Sequence, residues 1–308
     1  MRFHSILVIR DEADIIGQCL HHALTWSDNI FVYDSGSSDG TWEIVRAVAE
    51  LNPRVVPLRS ESVCFHDGLR AMVFQEVRER AEAGDWFVRL DADEFYHSAP
   101  PDFVRNHVLS HEGAIYMQWY DFKLTTSELE SYERGLSLVD DRALPIEQRR
   151  CHYKIVEYGE PRIFRYRPSM RWPSSASFPC LAGCVARKRI PIRHYPHRDP
   201  VQLQHRFKLR REMRAFMYKD IGSHWDVDHW TAVVVPDADQ DLRFWSPGAP
   251  LPTFDFTNHV APLGATPTFL DAPWSDAALT ASGADTTWHP PWEATRMFVF
   301  GPTAKVAM

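Results

Sequence analysis

A pair of aspartates in the sequence DADE is the strongest indication of chemistry in this chain. Asp91 and Asp93 directly follow the apolar segment Trp86–Leu90, which is typical of a short buried strand. Residues i and i+2 of an extended chain point to the same side, so the two carboxylates would lie together. Carboxylate oxygens are preferred ligands of Mg²⁺ and Mn²⁺, and a cation would offset the repulsion between the acids. The segment could therefore hold a metal, but alone it is a weak signal against its plainer interpretation, an acidic helix start. A second acidic segment at the end of another strand strengthens it.

A second acidic segment, DSGSSDGT, follows the apolar segment Asn29–Tyr33. Its composition is that of a tight turn in which Ser38 or Asp39 caps the next helix. It also places Asp34 at the carboxyl end of a strand, where open α/β sheets bind ligands. Asp34 is therefore a candidate contact for a base or a ribose hydroxyl. The segment is not a phosphate-binding loop, because the glycine patterns of such loops are missing.

Short apolar strands alternate with helix-length segments over the first 120 residues. The predicted strands are Ser5–Ile9, Asn29–Tyr33, Val55–Leu58, Trp86–Leu90 and Ala114–Tyr120. The predicted helices are Ile15–Leu24, Thr41–Leu51 and Leu69–Ala83. This alternation predicts a doubly wound, mostly parallel α/β sheet with a ligand crevice at the carboxyl ends of its strands.

The pattern loosens beyond Gly113, apart from a predicted arginine-rich helix over Val201–Lys219. From residue 221 onward the chain is rich in Pro, Trp and Asp and shows little periodicity. We predict a core over residues 1–220 with two halves, 1–112 and 113–220. An irregular carboxyl-terminal extension over 221–308 would wrap over this core.

Charge is distributed unevenly along the chain. The whole sequence carries a formal charge of −7, but residues 149–219 contain 18 Lys and Arg against 4 Asp and Glu. This basic band indicates an anionic partner: a nucleic acid, a membrane surface or a phosphorylated small molecule.

Cysteine usage and hydropathy favour a cytoplasmic protein. The five cysteines are scattered and form no CxxC pair, and the first apolar run is too short for a signal peptide. No stretch approaches 18 consecutive apolar residues. The basic and aromatic residues leave room for peripheral attachment to the inner face of the cell membrane.

Taken together and in order, these segments resemble family 2 glycosyltransferases of the GT-A fold. The sequence Arg10-Asp11-Glu12-Ala13 stands where the family usually has Asn-Glu-Ala, VYDSGSSDGT resembles DxGSxDGT, and VRLDADEF contains the DxD. Arg70 matches an arginine ahead of the third helix. The resemblance is strong over the first third of the chain and continues only through IPIRHYPHR, which is similar to a later histidine-containing segment.

The resemblance implies a set of contacts with a nucleotide-sugar donor, in which residues 1–112 bind the nucleotide and 113–220 the acceptor. Ile9 and Arg10 match positions that lie against the base, and Asp34 matches the acid that contacts uracil or ribose. The full predicted set is Ile9, Arg10, Glu12, Asp34, Arg70, Asp91, Ala92 and Arg198.

The resemblance also implies a bound Mn²⁺ or Mg²⁺. Asp91 and Asp93 match the DxD acids, and His194 is a candidate third ligand of the metal or the diphosphate. His194 has an equally good interpretation as a structural histidine between aromatic neighbours. Arginines of the basic band and Lys208 could add bonds to the diphosphate.

The catalytic base is less clearly marked. Members of the family are mostly inverting and need a carboxylate base, but Ser174-Ser175 stand where some relatives carry His-Glu. The candidates are Asp121, which follows the strand AIYMQWY, then Glu160 and Glu157.

We therefore predict a metal-assisted, inverting glycosyltransferase that uses a nucleotide-sugar, with UDP expected from its frequency in the family. The acceptor would be a glycan, a lipid-linked molecule or another hydroxyl compound, and no nucleic acid would be bound. Two alternatives stay open: a nucleic-acid-binding protein that uses the basic band with its interleaved aromatics, and an inactive relative with the same fold.

Overall fold

A computed structural model describes residues 1–66, 68–174, 176–180, 182–213 and 229–252. Its strands are β1 (Phe3–Ile9), β2 (Asn29–Asp34), β3 (Val55–Ser60), β4 (Trp86–Leu90), β5 (Glu94–Tyr96), β6 (Glu112–Phe122), β7 (His152–Val156), β8 (Pro161–Arg165), β9 (Cys184–Val185), β10 (Ile190–His194) and β11 (Arg243–Phe244). Its helices are α1 (Ile16–Ala23), α2 (Thr41–Leu51), α3 (Gly68–Val77), α4 (Pro100–His107), α5 (Thr126–Glu133), α6 (Leu138–Ala143), α7 (Ile146–Arg149) and α8 (Pro200–Met213).

The first four strands form a parallel sheet in the order β3-β2-β1-β4. Each connection between consecutive strands of this group contains a helix, as parallel pairing requires. The register pairs Ile9 with Asp34, so the loop after β1 and the turn after β2 leave the same edge of the sheet. The predicted α/β architecture is confirmed here.

The second half of the sheet is mixed and is built around the long strand β6. β7 and β8 run antiparallel to successive parts of β6, and β8 also pairs antiparallel with β4. β9 and β10 run parallel to β6 along its other edge, and β10 pairs antiparallel with β5. The antiparallel strands β7 and β8 were not predicted, because charged and polar residues interrupt their apolar residues, HYKIV and PRIFR.

Helices cover both faces of the parallel strands. Leu7 and Ile9 lie in the core that includes α1, whereas Ile6 and Val8 lie in the core that includes α3. Successive residues of β1 thus face opposite cores, as the alternation of a strand dictates. The strand is buried on both faces, which explains its continuous apolar sequence.

One predicted helix differs from the structure at its end, and the predicted end of another is not described. α3 ends at Val77 and a 3₁₀ turn follows over Arg78–Arg80, whereas the helix was predicted to reach Ala83. The Asp85 carboxylate accepts the Glu82 amide at 3.0 Å and closes a turn ahead of β4. The described part of α8 ends at Met213, and the predicted end at Lys219 lies outside the described residues.

Part of the predicted carboxyl-terminal extension packs on the sheet. β11 pairs with β7, and Trp245 and Leu251 are buried in the core that includes α1. Residues 253–308 lie outside the described part of the chain. None of the described helices is both long and apolar enough to cross a membrane.

Candidate active site

The loop after β1 and the acidic turn after β2 are held together by hydrogen bonds between side chains of one segment and backbone amides of the other. Asp11, whose φ is 53°, accepts the Ser38 amide at 2.7 Å, and Asp39 accepts the Ala13 amide at 3.0 Å. Asp39 also accepts the Thr41 amide at 3.0 Å, but the N-cap of α2 is Gly40, which makes no side-chain cap, so the predicted cap by Ser38 or Asp39 is not observed. The two segments form one rigid rim at the carboxyl edge of the sheet.

Asp34 fastens this turn to the sheet. Its side chain is fully buried, and its carboxylate accepts bonds from the Ser37 amide and hydroxyl and from the Ser60 hydroxyl. The carboxylate thereby joins the turn to the end of β3. A contact between Asp34 and a nucleotide stays a prediction.

Ile9 and Arg10 line the same rim. Ile9 is buried, and its carbonyl accepts the Ser35 amide at 2.9 Å. The Arg10 guanidinium donates to the carbonyls of Ser35 at 3.2 Å and Val63 at 3.0 Å. Arg10 thus links the loops that follow β1, β2 and β3, next to the predicted position of the nucleotide base.

Asp91, the first acid of the DADE segment, is held by arginines. Arg70 of α3 bonds one carboxylate oxygen, and Arg162 of β8 lies 3.1 Å from the other. Burial opposes ionisation of Asp91, but Arg70, Arg162 and Arg89 outweigh it and hold the pKa of its carboxyl below the usual range. The structure therefore brings the predicted residues Arg70 and Asp91 together, with the buried Ala92 following.

Arg162 was not predicted and is the centre of a buried cluster. Its Nη2 lies 2.6 Å from Glu94 and 2.9 Å from Glu160, besides its pairing with Asp91. Glu160 also lies 3.3 Å from Arg89. Burial raises the pKa of Glu94 to about 7, although Arg162 lowers it. The predicted base Glu160 thus lies in the same cluster as Asp91, the first acid of the DxD.

Asp93, the second acid, directs one oxygen toward three cationic groups. Its Oδ2 lies 2.8 Å from Arg206 of α8, 3.6 Å from Nε2 of His194 and 3.9 Å from Arg198. Burial disfavours the charged carboxylate, but these three cations reverse the effect and lower the pKa of Asp93 well below its usual value. Asp93 is therefore ionised and engaged in this arrangement.

His194 ends β10 directly opposite Asp121 of β6. Its Nδ1 lies 2.6 Å from Asp121, and its ring stacks on Trp119 with 4.8 Å between centroids. Burial lowers the pKa of His194, but the carboxylates of Asp121 and Asp93 outweigh it and raise the pKa to about 10. His194 thus has both an aromatic neighbour and an open approach toward Asp93.

Asp121 has both carboxylate oxygens occupied. One faces His194, and the other accepts from Lys123 at 3.0 Å. Burial raises the pKa of Asp121, but the two cations lower it further and leave it below the usual range. The third candidate base, Glu157, is exposed outside this cluster.

Arg198 occupies a structural position. It is fully buried and donates to both oxygens of Asp14, at 2.6 and 2.9 Å, and to Glu12. Burial raises the pKa of Glu12 to about 7 although Arg198 lowers it. Arg198 joins the β1 loop to the segment before α8, and its contact with a donor stays a prediction.

Two of the three predicted metal ligands have a geometry that suits a cation. Nε2 of His194 and Oδ2 of Asp93 are 3.6 Å apart, a separation that one ion could bridge with bonds of about 2.1 Å to each. Asp91 turns its oxygens to arginines instead. Among the described residues no three His, Cys, Asp or Glu side chains are grouped to hold a metal ion, so the remaining ligands would come from substrate or water.

Comparison with known proteins identifies the family. The family model described as glycosyl transferase family 2 matches residues 5–189, more than half of the chain. The chain belongs to glycosyl transferase family 2. This membership confirms the predicted family, the glycosyltransferase class and the α/β fold.

Solved structures similar to this family 2 glycosyltransferase are distant. One is the mannosyltransferase PcManGT from Pyrobaculum calidifontis in complex with GDP-Man and Mn²⁺, with 21% identity and a TM-score of 0.32. The match covers 53% of this chain and 44% of that one. Another is S. aureus TarS, with 12% identity, a TM-score of 0.32 and coverage of 73% and 42%. The search of curated proteins found no match.

The family 2 glycosyltransferase thus gathers most of its predicted site residues at one sheet edge. Sequence reasoning missed Arg162, Arg206 and Lys123, which hold the predicted carboxylates. The basic band showed that this part of the chain is rich in Arg and Lys. It did not indicate which of them pair with an acidic side chain. A separate cavity of about 470 Å³ lies beside α3 and β3, and none of the predicted site residues lines it.

Proposed function

We propose that this chain transfers a sugar from a nucleotide-sugar, with UDP as the nucleotide, to a hydroxyl group of a glycan or lipid-linked acceptor. The convergence of the DxD carboxylates with the buried arginines Arg70 and Arg162 and the half-buried Arg206, where β1, β2 and β4 end, supports this proposal. A departing nucleoside diphosphate gains negative charge in the transition state, and preorganised cations stabilise it. Arg70 and Arg206 are the proposed cations.

We further propose that Asp93 and His194 hold a divalent cation, Mn²⁺ or Mg²⁺. His194, protonated in the free protein, would bind the ion as the neutral imidazole after loss of its Nε2 proton. The 3.6 Å separation of Oδ2 and Nε2 supports the pair, and hard oxygen ligands from a diphosphate suit such ions. Bound there, the ion would act as a Lewis acid on the diphosphate. Asp91 would keep Arg70 and Arg162 in place behind this pair.

For acceptor deprotonation we propose Glu160 in preference to Asp121. Both oxygens of Asp121 are bonded to cations. Glu160 directs only Oε1 to its arginines, and its Oε2 faces the hydroxyl of the exposed Tyr158 at 3.5 Å. An acceptor hydroxyl positioned at Oε2 could therefore give up its proton to this carboxylate during an in-line displacement.

A nucleotide screen tests the proposed donor class. Thermal unfolding is measured with UDP, GDP, CDP and dTDP, each with and without Mn²⁺. The correct nucleotide at 100 times its Kd should stabilise the fold by about 2.7 kcal/mol, with the largest shift when Mn²⁺ is present. The Asp93→Asn variant should lose the Mn²⁺-dependent part, whereas Asp102→Asn, at an exposed pair with Arg105, should not. If no nucleotide shifts the wild-type midpoint, the proposal is wrong.

A further inference from the structure

Arg206 is hydrogen-bonded to the Asp93 carboxylate, which is also the proposed ligand of the metal. Its Nη1 lies 2.8 Å from Oδ2 of Asp93 and 3.3 Å from the carbonyl of Pro196. The same Oδ2 is the atom that faces Nε2 of His194 at 3.6 Å. A metal ion bound between Asp93 and His194 would therefore share Oδ2 of Asp93 with the guanidinium of Arg206. Two cations on one oxygen repel each other.

Of the two arginines at Asp93, Arg206 is the one that can move away from the carboxylate. Arg198 also approaches Oδ2, at 3.9 Å, but it is fully buried and held by Asp14 with bonds of 2.6 and 2.9 Å. The side chain of Arg206, on α8, is 18% exposed. Of the two arginines at Asp93, Arg206 alone has solvent on one side into which to move.

A donor diphosphate offers Arg206 a new partner. Arginine forms strong charge-assisted and often bidentate bonds with phosphate groups. A diphosphate that shares the metal at Asp93 and His194 would lie within reach of the arginine that has just been displaced from that carboxylate.

We propose that Arg206 is a placeholder for the metal: it neutralises Asp93 in the free protein and transfers to the donor diphosphate when the metal binds. This inference rests on the proposed function. The competition lowers the apparent metal affinity of the free protein, because only the fraction with Asp93 released can bind. The transfer then couples metal and nucleotide binding, and the coupling acts equally in both directions.

The proposal predicts effects of opposite sign in one variant. In Arg206→Gln, Mn²⁺ alone should bind about tenfold or more tightly than in the wild type, because a charged hydrogen bond no longer competes for Asp93. UDP or GDP in saturating Mn²⁺ should bind about tenfold or more weakly, because the diphosphate loses its arginine. A purely structural arginine would lower both affinities or neither.

Titration calorimetry of Mn²⁺ alone, and of UDP and GDP in saturating Mn²⁺, tests this. Arg211→Gln is the control, because Arg211 is an exposed arginine on the same helix, and it should behave like the wild type. Thermal melting verifies that each variant folds. Weaker or unchanged Mn²⁺ binding by Arg206→Gln overturns the placeholder role. If wild-type protein binds neither nucleotide under any condition, the proposed function itself fails, and the placeholder role with it.

Discussion

The place of Asp121 in the sheet decides what its carboxylate can do. As a lone acid after a strand it is a reasonable candidate base, and that was its predicted role. The register of β6 with β10 sets it opposite His194, and its oxygens are shared between that ring and Lys123. A carboxylate behind a metal-binding histidine fixes the ring and increases its basicity, so we assign Asp121 to positioning His194.

Replacing Asp121 separates these two roles. We expect Asp121→Asn to weaken Mn²⁺ binding about 10- to 100-fold, because His194 loses the carboxylate that orients it. Binding of nucleotide without metal should not change. Calorimetry of Mn²⁺ and of UDP or GDP, with Asp102→Asn as the surface control, gives both values. Wild-type Mn²⁺ affinity together with a large loss of turnover would instead return Asp121 to the role of base.

At the scale of one element, the turn after β2 depends on two glycines. Gly36 and Gly40 both have positive φ, 100° and 96°, a conformation that side chains disfavour. Their surroundings differ. A Cβ on Gly36 would lie 2.8 Å from Cα of Ser62, whereas a Cβ on Gly40 would meet no atom within 4 Å. The turn that anchors Asp34 therefore contacts the chain after β3 at Gly36.

These two positions form a matched pair for a stability measurement. Gly40→Ala should lower the free energy of unfolding by about 1–2 kcal/mol, the cost of a left-handed alanine. Gly36→Ala should cost at least about 1 kcal/mol more, because the backbone at Ser62 must also move. Urea unfolding of both variants gives the difference. Equal losses would show that the contact with Ser62 adds nothing to the strain.

For the whole molecule, five arginines of the basic band are paired with the chain's own acids. The band predicts an anionic partner, but buried and half-buried arginines within it meet carboxylates of the chain itself. Pairs of this kind are Arg149 and Arg150 with Asp141, Arg162 with Asp91, Glu94 and Glu160, Arg198 with Glu12 and Asp14, and Arg206 with Asp93. The charge of these five arginines is therefore offset by carboxylates within the protein itself.

The sequence predicted what depends on local pattern and missed what depends on pairing. The apolar runs of β1 to β4 and the DxD at the end of β4 could be found because they are continuous in the chain. The cluster around Arg162 could not be found in this way, because it joins Arg162 with Glu94, 68 residues earlier in the chain, as well as with the nearby Glu160. β7 and β8 have the same length as β4, but charged residues interrupt their apolar sequence and so they were not predicted. Ion pairing across a sheet has no signature within one segment.

Acid sensitivity of the fold is a further property of the molecule as a whole, and His22 contributes to it. The ring packs against Phe95, with 5.4 Å between centroids. Burial, together with Arg193, lowers the pKa of His22 to about 4. The unfolded chain, in which a histidine has a pKa near 6.5, therefore binds more protons between these values. His22 stabilises the fold above about pH 6.5, and this stabilisation is lost as the pH falls toward 4.

Replacing His22 should flatten the dependence of stability on pH. Between pH 7.5 and pH 5 the free energy of unfolding of His22→Gln should fall about 2 kcal/mol less than that of the wild type, since one pKa unit corresponds to 1.36 kcal/mol. Urea unfolding at the two pH values measures the difference. His21→Gln serves as the control because His21 is the exposed neighbour on the same helix, so its curve should follow the wild type. If the free energy of unfolding of His22→Gln depends on pH as that of the wild type does, His22 takes up its proton in the folded protein. Burial and Arg193 then do not lower its pKa.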